Sequence, residues 1–469
     1  MKIKYIFIVV VTFFTISCEN PDTFLDVLPT GRVIPSTLED FESLLNSYTP
    51  LRDRNQVLKM TDPDIVMNAT TFELLYNNEY KEAYKWNSNM YTVDQNDPEY
   101  IDVYNYIYVY NFILSLVDDA EPGKINPAER TNIKAEAYAQ RAFEYFCAVN
   151  QYAHHYDPAN PDAQGIAMPL EPNLELSIGY STVGEVYAQI ISDSETALSL
   201  FSDSYPDLRT DGNYRPGKAS IYALLAEVYL YMGDFDKALT NSNKALAMHN
   251  FLYDYNTIDF ANPDDLWAGY TNEDIQRITL NKEVFWARYI DYGGYVPYYT
   301  LYSPEVVALF DQNNDRRWYL HATQEARNGA FNVSPDYLFV YSRGERPNGL
   351  GVSRLILTNA EAKVRTGDGA GAIAALNTLL EKRISNFTPI AFTDNAAALQ
   401  LVKNERRKEL FGSGLNVFDQ KRYHVYGETV PTYTRVAPDT GDPLTLAPGA
   451  DGYVVNVPLG VKSLNPNLN

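Results

Sequence analysis

The stretch Tyr222-Ala-Leu-Leu225-Ala226-Glu-Val-Tyr229, followed by Gly233-Asp234 and then by Phe235 to Leu246, decides how this chain folds. Its aromatic and apolar residues return at helical spacing, so Tyr222–Tyr229 reads as one helix. Gly233-Asp234 breaks that helix, and a second one starts at Phe235. Ala238 and Ala245 place small side chains where paired helices approach closely. The same order of residues returns 134 positions later: Ala360 stands for Ala226, Gly367-Asp368 for Gly233-Asp234 and Ala372 for Ala238. A repeat of this kind predicts stacked helical hairpins.

The spacing is that of a tetratricopeptide (TPR) unit. Tyr222 takes the large aromatic position, Leu225-Ala226 the Leu-Gly pair and Tyr229 the Tyr. A looser copy begins at Tyr138, with Ala142 and Tyr145 in register. Its partner helix is displaced to Thr182–Phe201, beyond a loop rich in Asn, Pro and Gly at 153–181. Hairpins are thus predicted at about 131–201, 219–248 and 353–383, with further helices at Glu99–Val117 and Val402–Phe411. Residues 250–350 read as a loop-rich insertion with short periodic runs at Lys282–Arg288 and Ser303–Asp311. Residues 424–469 show no helical period. The expected fold class is mostly α, a TPR-like helical hairpin scaffold with long loop-rich insertions. In such an arrangement the stack is the frame and the insertions carry specificity.

The chain has 469 residues, enough for two or three domain-sized units or one large repeat-built domain. With 45% apolar and 21% charged residues it has globular composition. A net charge of −22 opposes binding to phosphate backbones or anionic lipid, so nucleic-acid partners are not expected. At the start, Lys2 and Lys4 precede an apolar run from Tyr5 to Ile16, too short to span a bilayer and suited to a signal peptide. Cys18 follows at once in Thr15-Ile16-Ser17-Cys18, which resembles a lipoprotein signal in which the Cys is lipidated. Residues 1–17 are then the signal peptide and 18–36 a tether and N-terminal arm. The other cysteine, Cys147, lies in an apolar helical stretch and reads as a small buried hydrophobe.

No catalytic constellation survives its context, and an enzyme is not expected. Gly367-Asp-Gly369-Ala-Gly-Ala372 has the letters of a dinucleotide-binding loop but joins two helices, where phosphate binding needs a preceding strand. Asp311-Gln-Asn313-Asn-Asp315 begins like a calcium loop, yet Arg316 stands where Gly is required and Ala322 where Glu is. An EF-hand is excluded, leaving room only for an incidental Ca2+. Of five histidines, the adjacent His154 and His155 would diverge on a helix, a poor zinc pair. No metal centre and no cofactor are expected.

Aromatic residues carry the positive signal, since 38 Tyr stand against 21 Phe and 4 Trp. Between Tyr289 and Tyr302, six tyrosines surround Gly293-Gly294, including Tyr292, Tyr295, Tyr298 and Tyr299. A loop so crowded cannot bury every phenol, and exposed rings stack on the apolar faces of sugars while Asn, Asp and Arg bind the hydroxyls. Trp267 and Trp86, both in loop-like sequence, join these as candidate ligand-binding residues. Trp286 and Trp318 sit in more regular segments and are assigned to the core.

Several segments together resemble the SusD/RagB-like outer-membrane nutrient-binding lipoproteins. They are Phe24-Leu-Asp26, Thr37 to Phe41, Tyr104 to Leu114 with Asn111, Ala135 to Phe146 with Arg141-Ala142, Gly165 to Leu170, Arg215 to Ala219 and Ala360-Glu361-Ala362. The most specific is Asn404-Glu405-Arg406-Arg407-Lys-Glu409-Leu-Phe411, continuing to Asp419 and Arg422-Tyr423. It departs from the family pattern at Ser413, Asn416, Gln420 and Tyr423, marking a divergent member. Glu405 and Glu409 fall on one helix face and should pair with arginines of neighbouring elements. Glu405, Arg406, Glu409, Asp419 and Arg422 are therefore expected to be structural. The resemblance implies one SusD-like domain over 37–469, tethered at the outer membrane, exposed at the cell surface and joined to the membrane only through lipid. It implies capture of an oligosaccharide, or alternatively a peptide, for a SusC-like TonB-dependent transporter. From another class, a TPR scaffold for protein partners remains open.

Overall fold

A computed structural model describes residues 35–47, 52–209, 213–290, 299–326, 329–341 and 346–468. The expected signal peptide, Cys18, and Tyr292, Tyr295 and Tyr298 lie outside these residues. Among the described residues, ten helices have eight or more residues: α1 Leu38–Leu45, α2 Pro98–Leu116, α3 Arg130–Tyr152, α4 Val183–Leu200, α5 Lys218–Met232, α6 Phe235–Met248, α7 Val352–Arg365, α8 Gly369–Leu380, α9 Asn395–Glu409 and α10 Leu415–Val425. The fold is mostly α. Helices α2 to α9 pack in succession, each against its neighbour in the chain, and the three tightest hairpins are α3–α4, α5–α6 and α7–α8.

The Gly-Asp pairs make the turns. Gly233 adopts φ +78°, and its N–H and that of Asp234 donate back to the carbonyls of Leu230 and Tyr229, closing α5. Asp234 then accepts from the N–H of Lys237 and starts α6. Gly367, at φ +94°, and Asp368, which accepts from the N–H of Gly371, do the same between α7 and α8. The glycine-rich loop is a hairpin turn. Ala226, Ala238, Ala245, Ala360 and Ala372 are completely buried, which lets the helix axes close up.

The displaced partner helix α4 begins with Thr182, whose hydroxyl accepts from Glu185 while Glu185 returns a carboxylate to the Thr182 N–H. Helix α9 starts seven residues before the expected Val402, because Asp394 caps it and three alanines extend it. The short periodic run Lys282–Arg288 holds the strand Val284–Trp286. The C-terminal segment, expected without helix, forms a hairpin of Tyr433–Val436 with Pro443–Leu446 and a short helix, Leu459–Leu464. Pro458 initiates that helix at the surface, where no apolar period is needed.

Buried arginines tie the stack together. Arg215 spans Glu42 of α1 and Glu136 of α3. Arg141 holds Asp193 of α4 in a two-pronged pair and donates to Asn111 of α2, whose amide reaches the Pro169 carbonyl. Arg354 of α7 meets Glu227 of α5 at 3.0 Å. Each charge is matched by a partner from another element, which is what makes its burial tolerable.

Candidate functional site

The insertion between α6 and α7 is organised by a small antiparallel sheet in the order Ile65–Val66, Leu301–Tyr302, Leu338–Phe339, Ala322–Thr323. Alternation along these strands divides the side chains between two faces. Ile65, Tyr302 and Phe339 point to one face and pack with Trp318, Phe310 and Phe411, the last lying just beyond α9. Val66, Leu301 and Leu338 point to the other, with Ala326, Val333 and Val340. On that second face lie the half-buried rings of Trp267 and Phe331. The Tyr299 ring, immediately before the strand, stands 6.2 Å from Phe331.

Short polar turns hold these rings in place. The Asp265 carboxylate accepts the Trp267 N–H at 3.0 Å, and the Asn262 side chain accepts that of Asp264. Gly269 closes this excursion at φ +107°, where a Cβ would stand 2.5 Å from Gln276 Oε1. Phe331 sits on a second hairpin, in which its carbonyl accepts from Ala326 and the Gln324 carbonyl accepts from Val333. Asn262, Asp264, Asp265, Asn332 and Ser334 are exposed around the rings. The result is a partly apolar platform with a hydrogen-bonding rim.

Of the residues singled out in the sequence, the structure brings Trp267 and Tyr299 to this one surface. Phe331 was not among them, although Gly329-Ala-Phe331-Asn332 carries the same aromatic-in-a-turn signal. Trp86 requires a correction. It is 8% exposed, its Nε1 donates to the Thr61 carbonyl at 2.8 Å, and the Arg435 guanidinium lies 3.9 Å from its ring centroid. It offers no stacking face, because the 433–446 hairpin folds over it. Trp286 is fully buried, 4.7 Å from Phe143, and Trp318 is buried as well. Asp311 accepts from the N–H of Asn313 and the amide of Asn314, stabilising its own turn. His155 is buried against the Tyr231 carbonyl, and burial drives its imidazole down to about 3, whereas His154 is exposed beside Asp451.

Behind the sheet, on the face opposite the rings, lies a cavity of about 100 Å³ bordered by Tyr302, Phe339, His321, Arg317 and Glu409. Its charges are engaged with one another. Arg317 reaches Glu405 at 2.9 Å and Glu409 at 3.0 Å, and Glu409 also accepts from Arg383. Burial would raise the Glu409 carboxyl, but Arg383 and Arg317 hold it down at about 2. One turn along α9, Arg406 pairs with Asp419 of α10 at 3.0 Å, and Arg422 joins the same carboxylate at 2.8 Å. This network fixes the end of α9 against the sheet and so carries the platform. Cys147 packs on the core, where burial pushes its thiol up to about 12, far from a nucleophile.

Two family profiles match the sequence. One, described as starch-binding associating with outer membrane (SusD-like), covers residues 23–230, and the SusD family profile covers 353–450. The chain belongs to the SusD/RagB-like family. Among solved structures it is similar to a SusD-like carbohydrate binding protein from Bacteroides vulgatus, at 22% identity and TM-score 0.66 over 92% of this chain and 98% of that one. A SusD superfamily protein from Bacteroides thetaiotaomicron matches at 19% identity and TM-score 0.69, over 92% and 99%. Surface glycan-binding protein A from Bacteroides uniformis matches at 16% identity and TM-score 0.65, over 92% and 98%. At such identities these three establish the fold of this SusD-family chain. No curated protein matches it by sequence. SusD-like proteins are associated with the outer membrane, and no helix among the described residues here is long and apolar enough to cross one.

Proposed function

We propose that this SusD-family protein captures an oligosaccharide at the cell surface, without chemistry, and passes it to a SusC-like TonB-dependent transporter. The observation that carries the reading is the sheet-backed cluster of Trp267, Tyr299 and Phe331 with exposed Asn, Asp and Ser around it. Flat apolar rings bind the C–H faces of sugars, and amides and carboxylates take the hydroxyls. Tyr292, Tyr295 and Tyr298 belong to the segment leading into Tyr299 and extend the same chemistry. The surface glycan-binding protein among the structural neighbours supports a sugar as ligand.

A second surface supports the hand-over. Leu170, Leu174 and Leu176 are exposed on the loop before α4, and Leu459 and Leu464 on the C-terminal helix. The two segments are joined by Ser177 to Asn465 and by the Asn465 and Asn467 amides to the carbonyls of Ile178 and Ser177. Exposed apolar side chains gathered in this way mark an interaction face, and we assign it to the transporter. Anchoring is assigned to lipid on Cys18.

Calorimetric titration against a glycan panel tests the ligand. Binding that weakens in Trp267→Ala supports the proposal. Silence with every glycan, together with uptake of peptides, would replace the sugar by a peptide. Release of reducing ends from the panel would make the protein a hydrolase and overturn it.

A further inference from the structure

A second cavity, of about 50 Å³, lies between the segment before Gln56–Thr61, helix α3 and the first turn of α7. It meets the larger cavity at Asn348, Arg354 and Leu415, which border both. Three buried arginines face into it: Arg54, Arg288 and Arg354. In a chain of net charge −22 such a gathering of cations needs a reason.

Their carboxylate partners do not use them up. Glu144 alone serves both Arg54 and Arg288, and Glu227 serves Arg354. Asp53, also at the cavity, is matched by Lys59 and by the Asn348 amide. Nε and Nη2 of Arg54 and Nε of Arg354 have no hydrogen-bond partner, although both side chains are only 6% exposed. Buried guanidinium N–H groups are rarely left unpaired, since each forfeits its hydration. The N-terminal turns of α7 and α10 border the junction through Arg354 and Leu415, adding the positive ends of two helix dipoles. One acceptor is orphaned as well: Asn55 Oδ1, on the same wall, is 8% exposed and unpaired.

We infer that this cavity is an oxyanion site, and that its occupant carries a hydroxyl beside the anionic group. The guanidinium N–H groups of Arg54 and Arg354 take the charged oxygens, and Asn55 Oδ1 accepts the hydroxyl proton. Hydrogen phosphate has this pattern, and so has the hydroxy-carboxylate of an acidic sugar, whereas sulfate lacks the proton. The inference does not depend on the aromatic platform, which lies across the sheet from the larger cavity.

Calorimetry and thermal melting of the full chain with phosphate, sulfate and glucuronate at equal ionic strength test it, with arsenate soaked into crystals as an anomalous scatterer that copies phosphate. Expected are saturable binding of phosphate or glucuronate, weaker binding of sulfate, and a Tm rise of roughly 3 °C at a hundredfold excess over Kd. An arsenic peak within hydrogen-bond distance of Arg54 and Arg354 would place the anion. Arg354→Gln should abolish the response. Phosphate without glucuronate binding identifies a free inorganic occupant; glucuronate that displaces arsenate identifies an acid group on a captured nutrient. No saturable response from either, or arsenic only at exposed positions, overturns the site, and the crystal result holds even if Arg354→Gln does not fold.

Discussion

Arg422 and Glu361 form a two-pronged ion pair in which both side chains are completely buried, with Nη2 donating to Oε2 at 2.6 Å. Glu361 belongs to the repeated hairpin and Arg422 to the family's most specific motif, so the pair bolts the TPR-like stack to α10. Burial by itself would raise the Glu361 carboxyl; Arg422, with Arg365 and Arg406 behind it, holds it well below the usual carboxylate range. Glu361→Gln leaves Arg422 under-compensated in a dry setting, and a loss of roughly 3–5 kcal/mol is expected from chemical denaturation. A loss under 1 kcal/mol would show that Asp419 alone satisfies Arg422.

The Glu409 pair predicts the acid limb of the stability curve. Its folded value of about 2 lies below the ordinary 4.5, so its contribution is full above pH 4.5 and fades as pH falls towards 2. The size is about 3 kcal/mol. Glu409→Gln should flatten stability between pH 4.5 and 2 relative to the unaltered chain; parallel curves would contradict the assignment.

Removing a ring from the platform should cost binding and spare the fold. Trp267→Ala and Phe331→Ala are each expected to weaken glycan binding about tenfold. Both rings are half-buried at the edge of a small cluster, so a drop in Tm of many degrees would instead place them in the core. Tyr295→Ala and Tyr298→Ala should behave alike.

Gly233→Ala isolates the cost of the turn. At φ +78° a Cβ meets nothing closer than 3.5 Å, so no collision occurs and the penalty is conformational. A destabilisation of about 1–2 kcal/mol is expected by urea titration. A neutral result would mean that the Gly-Asp turn relaxes.

Cys18→Ser should release the protein from the membrane fraction while leaving its Tm and glycan affinity in solution unchanged. Retention of Cys18→Ser in washed outer membranes would point to anchoring through protein contacts alone.

Sequence by itself determined the helical frame, because hairpin formation is local. A Gly-Asp turn, alanines at the contact positions and an apolar period act within about thirty residues, and each survives whatever lies elsewhere. It also determined that Glu405 and Glu409 share a helix face, a consequence of 3.6 residues per turn. Only the tertiary structure decided which aromatic rings are accessible. Trp86 and Trp267 both sit in polar, loop-like sequence, yet Arg435, about 350 residues away, lies over the first, while the second packs half-buried against the Leu301 and Leu338 cluster. Phe331 and Trp267 pack on one cluster that includes Leu301 and Leu338, whose long-range pairing no local pattern encodes. Exposure is a property of what folds over a residue, and distant chain supplies that cover.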